Sequence, residues 1–147
     1  MHDGDLAEPV DLRTTAPSMR QTANALDDLP WETWDDPQLA KRSAVRWKLM
    51  FSGDRTDTAD MSAGIAEFAP GGILPLHHHA PSEIYHVLEG EGRTEIEGVA
   101  HALRAGVSLF IPAGARHRTT NTGTSVLRLI FVFPTDTFGE IVYHFDE

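Results

Sequence analysis

The chain has no cysteine, which excludes disulfides, thiolate metal ligands and a cysteine nucleophile. It is poor in positive charge, with 12 Lys and Arg against 22 Asp and Glu and a formal net charge of −10. No basic cluster gathers the few cations, so neither nucleic acid nor an anionic membrane surface is an expected partner. Long apolar runs are also missing. The opening Met1-His2-Asp3-Gly4-Asp5 is acidic and leads into no hydrophobic stretch, so neither a secretory signal nor a membrane span is expected, and the cytoplasm is the expected compartment. There is no tandem repeat, no low-complexity tract and no long helical period. At 147 residues the remaining pattern suits one compact domain with a sizeable core.

What is present is a succession of short strand signals. Val45-Arg46-Trp47-Lys48-Leu49-Met50-Phe51 alternates apolar and basic residues and predicts a strand with Val45, Trp47 and Leu49 inward. Further strands are expected over 62–68, 83–88, 92–96, 99–103, 108–111, 126–133 and 140–145, separated by Gly, Pro and Asn breaks. Many short strands without intervening helices indicate a barrel or sandwich. Residues 1–43 differ. They read as an N-terminal arm, with a short helix over 18–29 and Trp31 and Trp34 anchoring it on the barrel or on a second copy of the chain. The barrel itself is expected over 44–147. A homodimer formed through the arm or a sheet face is the expected assembly.

Two stretches carry chemistry: Gly71-x5-His77-x-His79-x3-Glu83-x6-Gly90 and Gly106-x5-Pro112-x-Gly114-x2-His117-x3-Asn121. Side chains alternate faces along a strand, so His77 and His79 share one face while His78 takes the other. Pro81, which cannot donate to a ladder, is expected to bend the chain and reset the face on which Glu83 lies. His117 follows a Pro-Ala-Gly turn and arrives on a neighbouring strand. Three imidazoles and one carboxylate suit one divalent transition metal per chain. Fe(II) is the first candidate, and Mn(II), Ni(II), Co(II), Cu(II) and Zn(II) also remain open. Alternation from Glu83 places Tyr85 and Val87 inward and His86 outward. Tyr85 is the first candidate for a general base and Tyr143 the second, because a nearby cation lowers a phenol's pKa. Simple packing is the other role open to both. Trp47, Val87, Phe131 and Phe133 are candidates for the wall of a substrate pocket, with aromatic faces able to hold a cationic group.

Both stretches match the two motifs of the cupin superfamily, and the chain resembles a single-domain metal-binding cupin. Val107 stands where many cupins have an acidic residue, a departure confined to a turn. The resemblance implies a small antiparallel jelly-roll β-barrel, an all-β fold, with a metal held by His77, His79, Glu83 and His117. The spacing His77-x-His79-x3-Glu83-x-Tyr85, then Phe131-Val132-Phe133-Pro134-x-Asp136-x-Phe138 and Tyr143-x-Phe145, is also similar to the cupin-type dimethylsulfoniopropionate lyases of the DddW class. That likeness implies elimination from a small carboxylate-bearing substrate to give dimethyl sulfide and acrylate, with Tyr85 as base and the metal as Lewis acid. Three other outcomes are open to the same ligand set: a non-haem Fe(II) dioxygenase, an isomerase or epimerase, and a non-catalytic small-molecule-binding cupin.

Overall fold

In the computed structural model, residues 22–147 are described. They form ten strands: β1 (Val45–Phe51), β2 (Ser62–Phe68), β3 (Ile73–His78), β4 (Glu83–Glu89), β5 (Gly92–Ile96), β6 (Val99–Leu103), β7 (Ser108–Ile111), β8 (His117–Asn121), β9 (Leu127–Phe133) and β10 (His144–Phe145). They lie in two five-stranded antiparallel sheets, ordered β1-β2-β9-β4-β7 and β10-β3-β8-β5-β6. This is a jelly roll, as the cupin resemblance implies, and it falls within the barrel or sandwich that the strand spacing indicates. Period-two alternation puts one face of each sheet inward. Along β9, Leu127, Leu129, Phe131 and Phe133 are buried, as are Tyr85 and Val87 on β4. Phe68, Ile111, Leu127 and Phe133 are almost wholly shielded, and each such side chain contributes about 1.5–3 kcal/mol by leaving water.

Local chemistry sets the connections. The β5–β6 hairpin closes on Glu97 and Gly98, at φ 47° and 83°, the paired left-handed conformation that two-residue hairpins need. Asn121 closes the other end of β8. Its Nδ2 donates to the carbonyls of Phe68 and Ser125 at 2.9 Å each, and its Oδ1 accepts from Gly123 N at 2.9 Å. We expect Asn121→Ala to cost about 1–3 kcal/mol, because it orphans the buried carbonyl of Phe68 and releases two partners in the turn that follows β8. A lowered urea midpoint with unchanged slope would show it.

Two expectations are corrected. Residues 18–21 of the expected 18–29 helix lie outside the described residues, and the rest of that span holds only a 3-10 turn at Leu26–Asp28. Pro30 and the scarcity of apolar residues stop it from growing. The helix instead lies at Pro37–Ser43 (α1), capped by Asp36, whose side chain accepts from Gln38 N, with proline at its start and Ala44 left-handed at its end, a standard set of helix boundary signals. The expected strand over 140–145 shortens to His144–Phe145. Thr137 and Glu140 instead bond each other, and Ile141 N donates to Phe138 O, so the chain turns before it can pair.

Candidate metal centre and cavity

The site is built where β3, β4 and β8 begin or end. His77 lies directly opposite His117 across the β3–β8 pair. Register slips between Leu74 and His77, where β3 carries one residue more than β8. Leu74 faces the core, so strict alternation would send Leu76 and His78 inward. The bulge at Pro75 and Leu76 reverses this and turns His77 inward. Pro75, with no N–H to lose, is well suited to that position. Pro81, expected to bend the chain ahead of Glu83, lies in the turn between β3 and β4, where its carbonyl accepts from His79 Nδ1 at 2.9 Å.

All three imidazoles are oriented in the same way. His77 Nδ1 donates to Pro75 O at 2.8 Å, His79 Nδ1 to Pro81 O, and His117 Nδ1 to Ala115 O at 2.9 Å. A carbonyl only accepts, so each Nδ1 carries a proton and each Nε2 faces the site. One ring nitrogen from each of His77, His79 and His117 lies within 4.8 Å of the others. Glu83 Oε1 lies 3.1 Å from His79 Nε2 and 3.6 Å from His117 Nε2. All four side chains are buried, and the Nε2 atoms of His77 and His117 have no hydrogen-bond partner among the described residues. Buried, unpartnered lone pairs are costly. Three Nε2 donors and a carboxylate oxygen, held by backbone carbonyls behind them, fit a divalent transition metal and explain those orphaned atoms.

The protonation of the set is uneven. Burial, helped by the neighbouring His117, pushes His77 down to about pKa 3. Burial also works against the charged form of His79, but the hydrogen bond and charge of Glu83 outweigh it and raise that pKa. The sign for folding follows. Unfolded His77 takes a proton below about pH 6.5 while the folded residue stays neutral down to about pH 3, so the metal-free protein loses stability as pH falls across that window. The cost is about 1.4 kcal/mol per pH unit, approaching 4–5 kcal/mol in all. Urea unfolding of chelator-treated protein at pH 7 and pH 4 measures this. His77→Gln should flatten the slope by close to one proton. His79 has the opposite sign, its contribution being present at low pH and lost as pH rises.

Beside the imidazoles is a narrow cavity of about 40 Å³ whose walls include Trp34, Trp47, Glu83, Tyr85, Phe131 and Tyr143. Its rings interlock. Trp34 meets Trp47 at 5.0 Å and Tyr143 at 5.1 Å, edge to face. Tyr143 stacks on His77 at 5.2 Å with 27° between planes. Phe131 can lie here because Gly64 faces it: a Cβ at Gly64 would come within 2.5 Å of the Phe131 ring. The Nε1 atoms of Trp34 and Trp47 are buried without an acceptor among the described residues.

The other expected pocket residues are placed differently. Val87 is not among the residues lining this cavity. It pairs with Leu129 deeper along β4 and belongs to the core. Phe133 touches His79 edge-on at 5.2 Å but lines a separate outer groove with Met61, Ile84 and Phe110. His86 is half-exposed, its Nδ1 2.7 Å from Ser108 Oγ, and His78 is held outside by Asp146 at 2.9 Å. Trp31 stays outside too, under the Arg46 guanidinium at 3.8 Å, whereas Trp34 reaches the cavity.

Tyr85 is buried in the wall of this cavity. Burial first, and the Glu83 charge second, hold its phenol well above the usual range, against a hydrogen bond with Thr119 that favours the phenolate. Thr119 Oγ1 is in turn 2.9 Å from Thr94 Oγ1, both buried. Neither threonine was expected at the site, although stepping by two from His117 along β8 reaches Thr119.

Comparison with known proteins agrees with this architecture. A cupin-domain family model matches residues 64–133. Over 140 residues, 90% of either chain, the protein is 39% identical to dimethylsulfoniopropionate lyase DddW of Ruegeria pomeroyi. The chain belongs to the cupin family. Among solved structures, an RmlC-like cupin from Shewanella frigidimarina superposes with TM-score 0.65 at 19% identity, covering 81% of this cupin and 94% of that chain. The polyketide cyclase RemF of Streptomyces resistomycificus superposes with TM-score 0.71 at 18% identity, covering 84% of each. At those identities they bear on fold alone.

Proposed function

We propose that this cupin is a metal-dependent carbon–sulfur lyase that splits dimethylsulfoniopropionate into dimethyl sulfide and acrylate. The observation that carries the reading is the meeting of Glu83, Tyr85 and Tyr143 in one aromatic-walled cavity beside three convergent imidazoles. The 39% identity to DddW, extending over 90% of both chains, supports it. His77, His79, Glu83 and His117 would hold the cation. Bound there, it would supply positive charge that acidifies the α hydrogen of a substrate carboxylate and offsets the influences holding the Tyr85 phenol up.

The protein's own residues account for the rest. Trp34, Trp47, Phe131 and Tyr143 offer π faces to the sulfonium and keep water from the reacting carbons. The phenolate oxygen of Tyr85 takes the proton α to the carboxylate. The electron pair of that C–H bond becomes the new C=C bond, the β carbon–sulfur bond breaks, and its electrons leave with neutral dimethyl sulfide. Thr119, bonded to Tyr85 and backed by Thr94, holds the phenol oxygen in place and favours its charged form. Headspace measurement of dimethyl sulfide from protein loaded with Fe(II), Mn(II), Co(II), Ni(II) or Zn(II) tests the reading. No release with any of these metals would sink it.

A further inference from the structure

We infer that residues 142–147 are a hinged strap over the site, latched by Glu147 on Arg118 and Arg42, and that its opening is the route by which small molecules reach the histidines. The inference rests on the lyase reading for the size of molecule to be admitted. About 40 Å³ holds the centres of only a few waters, and a sulfonium joined through two methylenes to a carboxylate does not fit. Movement of a wall element would enlarge the cavity.

The wall is unevenly built. Trp47, Tyr85 and Phe131 stand on β1, β4 and β9, each paired along its length within one sheet. Tyr143 does not. It precedes a two-residue strand whose whole register is His144 with His78 and Phe145 with His77, followed by one bond from Asp146 N to Leu76 O at 2.8 Å. Upstream, Ile141 is buried and fixes the hinge side, while Val142 is exposed. The strap nevertheless carries Tyr143 and Phe145, whose rings lie 5.2 and 5.6 Å from that of His77. Lifting it would uncover the imidazoles and enlarge the cavity at once.

Side-chain ion pairs hold the far end down. Glu147 pairs with Arg118, which also meets Glu95 at 3.2 Å, and with Arg42 of α1 at 3.5 Å; Asp146 pairs with His78. These groups are partly exposed, so each pair shifts a closing equilibrium only a few-fold. That strength suits a latch that opens often. Glu147 is therefore a positioning residue, acting on the site through Tyr143.

Two measurements test this. In hydrogen exchange on the whole protein, Glu147→Gln should make the 142–147 segment exchange roughly three- to tenfold faster while β2 and β9 keep wild-type protection. An unchanged segment, or acceleration throughout the barrel, would overturn the latch. For the route itself, His78 and His144 are cross-strand partners with rings stacked at 4.9 Å. His78→Cys with His144→Cys thus places two Cα atoms about 4.5–5.5 Å apart, within disulfide range, in a chain with no other cysteine. EDTA should strip Zn(II) from the oxidised form roughly tenfold more slowly than from the reduced form. Equal rates would overturn the route. A protein that passes both tests and releases no dimethyl sulfide keeps its strap and loses the lyase assignment.

Discussion

Replacing His77 and His117 together by alanine is expected to reduce bound divalent metal to less than about a tenth of wild type in protein purified without a polyhistidine tag. The two residues supply the pair of Nε2 atoms that are buried with no hydrogen-bond partner among the described residues, and they face each other across β3 and β8. Losing both leaves His79 and Glu83, already bonded to one another at 3.1 Å, with too few donors to displace that contact. The double variant need not unfold, because it removes two unsatisfied buried groups as well as two ligands. Circular dichroism can therefore separate loss of metal from loss of fold. Elemental analysis provides the main readout, and full occupancy in the double variant would refute the ligand assignment. In the wild type, chelation should lower the melting temperature, since a metal held only by the folded state stabilises it. Affinity should also fall on acidification, because protons compete for the same Nε2 atoms.

Much of this was legible in the sequence because strand periodicity is local. The bounds of β1, β2, β5, β6 and β7 follow from alternation and glycine breaks, and the two histidine motifs identify the residues that the fold brings together. Features decided by longer-range contacts were not legible. The bulge that turns His77 inward is visible only in the β3–β8 register, since Pro75 and Pro81 are equally good candidates from sequence. Trp34 reads as an anchor, and it does pack on the barrel, but its ring also forms part of the cavity wall with Trp47 and Tyr143. Residues 140–145 alternate like a strand, yet Thr137 and Glu140 bond each other first. α1 was missed even though Asp36-Pro37 is a readable start signal, because the surrounding segment is short and polar. The state of the Tyr85 phenol could not be read at all. It depends on burial and on the Glu83 charge, which are properties of the folded site.

Tyr85→Phe is expected to lower dimethyl sulfide production by at least about 100-fold while metal content stays at wild type. The substitution keeps the ring, and with it the packing against Phe131 and Leu109, the residues opposite Tyr85 on β9 and β7. It removes one oxygen, the group assigned to take the proton. Because Thr119 loses its partner but keeps Thr94, the stability cost should be about 1 kcal/mol, small enough for the variant to be assayed folded. The loss should fall on kcat more than on KM, since a base acts in the transition state and contributes little to ground-state binding. Tyr143→Phe is the control. Its ring stacks on His77 and its phenol is also held up by burial and by Glu83, but it has no threonine favouring its charged form. It should therefore lose much less activity. If Tyr85→Phe retained wild-type turnover and Tyr143→Phe lost it, the base would be Tyr143 and the strap would carry the chemistry itself. If both variants turned over normally, the proton would have to go to another group at the cavity, and Glu83 is the one carboxylate among the described residues that line it.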